Sequence, residues 1–130
     1  MTDTKTLEQL RQSLAEFAAV RDWDQFHSPK NLAMALIAEA AELVEHFQWL
    51  SEAQSYQLSP AKHQAVSHEL ADVLIYLIRI ADKLDIDLIS AAQAKMQINE
   101  TRYPVELVKG DARRAAEYLP EDSKTPFKNS

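Results

Sequence analysis

Ser59-Pro60-Ala-Lys-His-Gln-Ala-Val-Ser-His-Glu69-Leu-Ala-Asp72-Val-Leu-Ile-Tyr76-Leu-Ile-Arg-Ile-Ala-Asp-Lys-Leu84 decides the fold. Ser59 can cap a helix whose first position, Pro60, needs no backbone donor. From there Val66, Val73, Leu77, Ile80 and Leu84 fall on one helical stripe, and nothing breaks the run before Leu84. Ser28-Pro29 repeats the start signal and opens a second long helix, expected to reach about Gln48. Upstream, Leu7, Leu10, Leu14 and Phe17 predict a helix from about Thr4 to Val20. Downstream, Asp85 or Asp87 is expected to cap a fourth helix ending near Arg102, because Pro104 disfavours helical geometry at Tyr103. A short turn is expected at Ser51–Ser55, and a short helix at Asp111–Leu119. Residues 1–110 are expected to form one domain, with 111–130 a partly disordered tail.

Composition points the same way. The chain has 130 residues, one domain's worth, with 46% hydrophobic and 26% charged residues. It holds a single glycine, Gly110, which leaves hairpins and dinucleotide-binding turns without their usual residue. The fold class expected is therefore all-α. Zero cysteines exclude disulfides, thiolate-bound zinc, iron–sulfur clusters and thiol nucleophiles. A balance of 14 Lys and Arg against 20 Asp and Glu argues against binding polymeric nucleic acid. No apolar run is long enough to span a bilayer, and the N-terminus lacks the apolar core of a secretory signal, so a cytoplasmic protein is expected.

Glu39 and Glu42 on the second helix, and Glu69 and Asp72 on the third, are each spaced i, i+3. At about 100° per residue, Leu32, Leu36, Leu43 and Phe47 form a stripe roughly 60° wide, with Glu39 at its margin and Glu42 just outside. Glu69 and Asp72 hold the same relation to the stripe of the third helix, and His46 and Tyr76 also match at the offset of 30 residues. Four acids could therefore converge between two facing helices. Singly, each reads as a solvated surface acid. As a set with few cations nearby, they would repel one another unless a cation neutralised them. An all-oxygen set without a Glu-x-x-His pair suits Mg²⁺, with Mn²⁺ possible, better than zinc or a di-iron centre.

These residues carry a resemblance. Glu39-Ala-Ala-Glu42 followed by Glu69-Leu-Ala-Asp72 is similar to the ExxE…ExxD signature of the MazG-like, all-α nucleoside triphosphate pyrophosphohydrolases. Arg21-Asp-Trp-Asp-Gln-Phe-His27, Glu45-His-Phe-Gln-Trp49, Asp72-Val-Leu-Ile-Tyr76 and Lys95-Met-Gln-Ile-Asn99…Arg102-Tyr-Pro104 resemble the branch of that family acting on dCTP. The resemblance implies a four-helix bundle that hydrolyses dCTP and modified dCTP to the monophosphate plus pyrophosphate. It implies a divalent cation on Glu39, Glu42, Glu69 and Asp72, with Glu42, or less readily Glu39, activating water. It also implies a homodimer or a dimer of dimers (a homotetramer). Substrate contacts would come from Trp23, His27, Trp49 and Tyr76 at the base, and from Lys95, Asn99, Arg102 and Tyr103. Lys95, Asn99 and Arg102 are spaced i, i+4, i+7 and can present three donors in a row to phosphates. His46 reads more simply as a packing histidine. A dUTP-specific or broad-specificity hydrolase, and a non-catalytic helical interaction module, are the alternatives.

Overall fold

The computed structural model describes residues 5–113 and 117. Those residues form helices joined by turns, with no strand among them. None of the helices is long and apolar enough to cross a membrane. The chain divides into two compact units, Met1–Leu88 and Ile89–Ser130.

In the first unit, α1 spans Leu7–Val20, α2 Pro29–Glu45, α3 Glu52–Ser55 and α4 Pro60–Lys83. A 3-10 turn at Asp24–Phe26 links α1 to α2. The Ser-Pro starts behave as expected. Ser28 accepts a hydrogen bond from the Asn31 amide at 3.1 Å, and Ser59 one from the Lys62 amide at 3.2 Å. Reciprocal capping pairs, Thr6 with Gln9 and Ser51 with Gln54, open α1 and α3. α1 thus begins after Thr6 rather than near Thr4, which lies outside the described residues. α2 stops at Glu45 instead of Gln48 because the chain tightens to i→i−3 bonds there, His46 to the Leu43 carbonyl at 3.2 Å and Phe47 to the Val44 carbonyl at 2.9 Å.

α4 packs against α2 most extensively and also against α1. Its buried positions therefore spread beyond a single stripe: Val66 is buried, but so are Ile78, Arg79 and Ala81, while Leu77 and Leu84 stand exposed. Leu32 of α2 and Ala18 of α1 complete the small buried set.

The helix ends dispense with glycine. After α1, the Trp23 amide bonds the Ala18 carbonyl at 2.9 Å and the Asp22 amide bonds Ala19 at 3.0 Å. After α4, Ile86 bonds Ala81 at 2.8 Å and Asp85 bonds Asp82 at 3.3 Å. Both are Schellman closures, with Asp22 (φ 55°) and Asp85 (φ 54°) in the left-handed position that glycine usually fills. Asp85 is therefore the terminator of α4 and not the cap of the next helix.

In the second unit, α5 runs Leu88–Arg102 and α6 Val105–Val108, with Pro104 capping the latter. α6 carries no signal that the sequence reading had used. Gly110, at φ 80°, follows it. The short helix expected at 111–119 and the tail beyond it fall mostly outside the described residues; within them, Arg113 pairs with Asp111 at 2.6 Å.

Polar side chains tie α1, the 3-10 turn and α4 together. Arg79 is 3% exposed; its guanidinium donates to Asp24 at 2.8 Å and to Asp82 at 3.3 Å. Arg11 of α1 donates to the other oxygen of Asp82 at 3.0 Å, and Lys83 to Asp24 at 2.8 Å. Hydrogen bonds from Lys83 and then Arg79 hold the Asp24 carboxyl below its ordinary value of 3.8.

Two outcomes follow from these contacts. Asp85→Gly relieves the left-handed strain and should raise stability by about 0.5 kcal/mol, up to ~1, read as an increase in Tm. Asp24, with its folded pKa depressed, stabilises the fold above its unfolded value and loses that contribution as pH falls through the folded one. Wild type should therefore melt above Asp24→Asn at neutral pH. The gap should close as the pH drops below 3.8, in a series of melts taken into acid.

Candidate active site

Glu39 leaves α2 and Glu69 and Asp72 leave α4, and the packing of these two helices brings the three carboxylates together. One oxygen from each lies within 4.8 Å of the other two. All three side chains are half-buried. Glu39 Oε2 and Glu69 Oε2 are buried and have no hydrogen-bond partner. Oxygens of that kind are costly to leave bare.

The electrostatics record the crowding. The Glu39 carboxyl is pushed up to about 7. The neighbouring Glu69 carboxylate, which favours a proton held between the two, is the largest cause. Burial follows, then Glu42 beside it and the charge of Asp72. Glu42 stays outside the triad and exposed, yet close enough to act on Glu39. His46, just past α2, puts Nε2 4.0 Å from Glu69 Oε1. A hard divalent cation fits this set: three carboxylate donors, two with unpartnered buried oxygens, and no soft ligand among them.

The aromatic residues fall into separate groups. Trp23 and His27 flank the 3-10 turn with ring centroids 6.3 Å apart, and Phe17 meets Trp23 edge-on at 5.7 Å. The Arg21 guanidinium covers the Phe17 ring at 3.5 Å. Trp49, in the turn after α2, is 86% exposed, and Tyr76 is half-buried on α4; neither makes a ring contact with the Trp23–His27 pair. In the second unit, Lys95, Asn99 and Arg102 lie along α5 as their spacing requires. The Tyr103 amide bonds the Asn99 carbonyl at 2.7 Å, and Arg102 sits 5.7 Å from the Tyr103 ring.

Arg79 was passed over in the sequence, although an arginine between Ile78 and Ile80 in an apolar run is the signal that marks it. It joins the aromatic turn to α4, reaching His27 Nδ1 at 3.2 Å.

The sequence profile of the MazG-like family matches residues 34–116, which include all four acids. dCTP pyrophosphatase 1 of Rattus norvegicus is 50% identical over 111 residues, covering 82% of this chain and 64% of that protein. Its Homo sapiens counterpart is 46% identical over 114 residues, covering 86% of this chain and 67% of that protein. The chain thus spans about two thirds of the length of these curated relatives. A crystal structure of a pyrophosphatase from Archaeoglobus fulgidus superposes with a TM-score of 0.73 at 39% identity, covering 80% of this chain and 97% of that one. An all-helical chain with an acidic seam between two packed helices, matched over those helices by one family profile, belongs to the MazG-like family.

Proposed function

We propose that the chain is a nucleoside triphosphate pyrophosphohydrolase that takes dCTP and modified dCTP to the monophosphate plus pyrophosphate with Mg²⁺. The observation that carries this reading is the triad of Glu39, Glu69 and Asp72, with its unpartnered buried oxygens, in a chain similar to dCTP pyrophosphatases. Glu39, Glu69 and Asp72 would hold the ion, which when bound supplies charge neutralisation at the phosphates.

The chain's own residues do the rest. A water attacks the α-phosphorus, and the bond from that phosphorus to the α,β-bridging oxygen breaks, releasing pyrophosphate. Glu42 is the residue to orient that water and take its proton: it is exposed, outside the triad, and next to the acids. Glu39, held near 7 by its neighbours, is the second choice. Trp23 offers a stacking face 44% exposed to solvent, and His27 offers a polar group beside it. Trp49 and Tyr76 are assigned to the base, Lys95, Asn99 and Arg102 to the phosphates, and Tyr103 to the substrate, on the strength of the sequence resemblance. A homo-oligomer, dimer or dimer of dimers, is supported by exposed apolar residues on the same two helices, including Met34, Ile37, Leu70 and Leu74.

Incubation with Mg²⁺ and a panel of deoxynucleoside triphosphates should release pyrophosphate, fastest from dCTP. Orthophosphate alone would reject the reaction type, and preference for dUTP or purines would move the substrate. Asp72→Asn and Glu69→Gln should lower kcat/KM at least ~100-fold and abolish the rise in Tm that Mg²⁺ gives the wild type. Glu42→Gln should lower kcat by roughly 10²–10⁴ while keeping that Mg²⁺-dependent rise, which separates a base from a ligand. A Tm indifferent to Mg²⁺ in every variant would favour a non-catalytic helical module.

A further inference from the structure

We propose that Arg79 is a positioning residue. By donating to Nδ1 of His27 it holds the imidazole neutral with its proton on Nε2, so that the ring offers a hydrogen-bond donor to an acceptor on a nucleobase edge. The inference rests on the reading above in which the Trp23–His27 turn receives the base.

The argument begins with donors. A guanidinium donates and never accepts, and it stays charged at any pH the protein meets. For the 3.2 Å approach of the Arg79 NH2 nitrogen to His27 Nδ1 to be a hydrogen bond, Nδ1 has to be the lone-pair nitrogen of the ring. The two protons on that NH2 group account for its two partners, Asp24 Oδ1 at 2.8 Å and His27 Nδ1 at 3.2 Å. NH1 serves Asp82 at 3.3 Å. Asp24 and Asp82 alone would complete a structural ion-pair network. Instead the guanidinium, with its side chain 4% exposed, turns one proton to a neutral ring while its own Nε is buried without a partner. That orientation fixes the histidine ring against the guanidinium.

The surroundings work in the same direction. Burial and then the positive charge of Arg79 keep the His27 pKa below its ordinary value; Lys83 adds to this and Asp24 opposes it. Those charges come from α4 and from the turn itself. The consequence is a recognition code of defined sign. With its proton on Nε2, His27 pairs with a carbonyl oxygen or an unprotonated ring nitrogen. With the proton on Nδ1, it would present a bare acceptor and pair instead with an amino group. Arg79 selects the first code without touching the base.

The test uses the full chain. Long-range proton–nitrogen spectra at neutral pH, with His27 assigned from His27→Gln, should show the wild-type ring protonated at Nε2 alone, and Arg79→Lys should show a mixture of tautomers. Arg79→Lys should raise KM for dCTP about tenfold with kcat changed less than about twofold, the loss of one hydrogen bond made equally in ground and transition states. In the His27→Gln background, Arg79→Lys should raise KM no further, because its effect passes through the ring. A wild-type His27 protonated at Nδ1 would overturn the inference even if Arg79→Lys failed to fold. Additive effects on KM would overturn it too, marking Arg79 as a structural residue only. If the wild type turned over no nucleotide, the proposed function would fall, and the base-reading role with it. Turnover with additive KM effects sinks the role of Arg79 alone.

Discussion

Three carboxylates within 4.8 Å of one another, two of them with buried oxygens left unpartnered, are a standing electrostatic problem. Isolated helices would never meet along that seam, because bringing the acids together costs solvation and adds repulsion. The apolar contact of α2 with α4, continued by α4 against α1, has to outweigh it. A partial remedy exists within the chain: Glu39 takes up a proton far more readily than an ordinary glutamate. The fuller remedy is a divalent cation, which satisfies all the oxygens at once. A protein that stabilises such a seam through its packing has a site that is poised to bind, and this is what the proposed hydrolase needs.

Positive charge is used with equal economy two turns farther along α4. Arg79 is buried because three acceptors surround it, Asp24, Asp82 and His27, and Arg11 and Lys83 balance the acids from outside. A buried arginine is weak evidence for stability as such, since desolvation offsets much of the attraction. Its clearer effect is geometric. It locks an exposed aromatic turn onto a long helix at a point where the chain has no glycine to shape the bend. Asp22 does part of that shaping by accepting a left-handed backbone and by bonding Gln25 across the turn at 3.1 Å.

Much of this was legible in the sequence. The Ser-Pro starts, the acid pairs and the halt before Pro104 depend on local chemistry, and local chemistry is what a sequence displays. The convergence of Glu39, Glu69 and Asp72 was legible because helical spacing and an apolar margin fix where a side chain leaves its helix. The stripe on α4 was read too narrowly. It omitted Ile78 and Ala81 and took in Leu77 and Leu84, since a helix packed on two neighbours buries more than one face. Arg79 was missed for a related reason. Its partners Asp24 and His27 lie more than fifty residues earlier, and no spacing rule links an arginine to a turn that distant. The glycine argument was right about fold class; it did not address the helix ends, where aspartate takes the left-handed position at a modest cost in strain.

The two polar systems on α4 also differ in what they can tolerate. The acidic seam has oxygens to spare and gains from an added cation, so its geometry is incomplete until something binds. In the arginine network every carboxylate already faces a cation, and the proposed tautomer leaves the far nitrogen of His27 carrying the proton. A nucleotide has a matching asymmetry: a phosphate chain that must be brought to acids by a cation, and a base that must be told apart by neutral hydrogen bonds. In the proposed hydrolase, specificity at the base would come from a pre-set donor and depend little on net charge, whereas affinity for the phosphates would follow the cation. α4 supplies an anchor to each system, Glu69 and Asp72 to one and Arg79 to the other, so the spacing along one rigid helix fixes where the two chemistries stand.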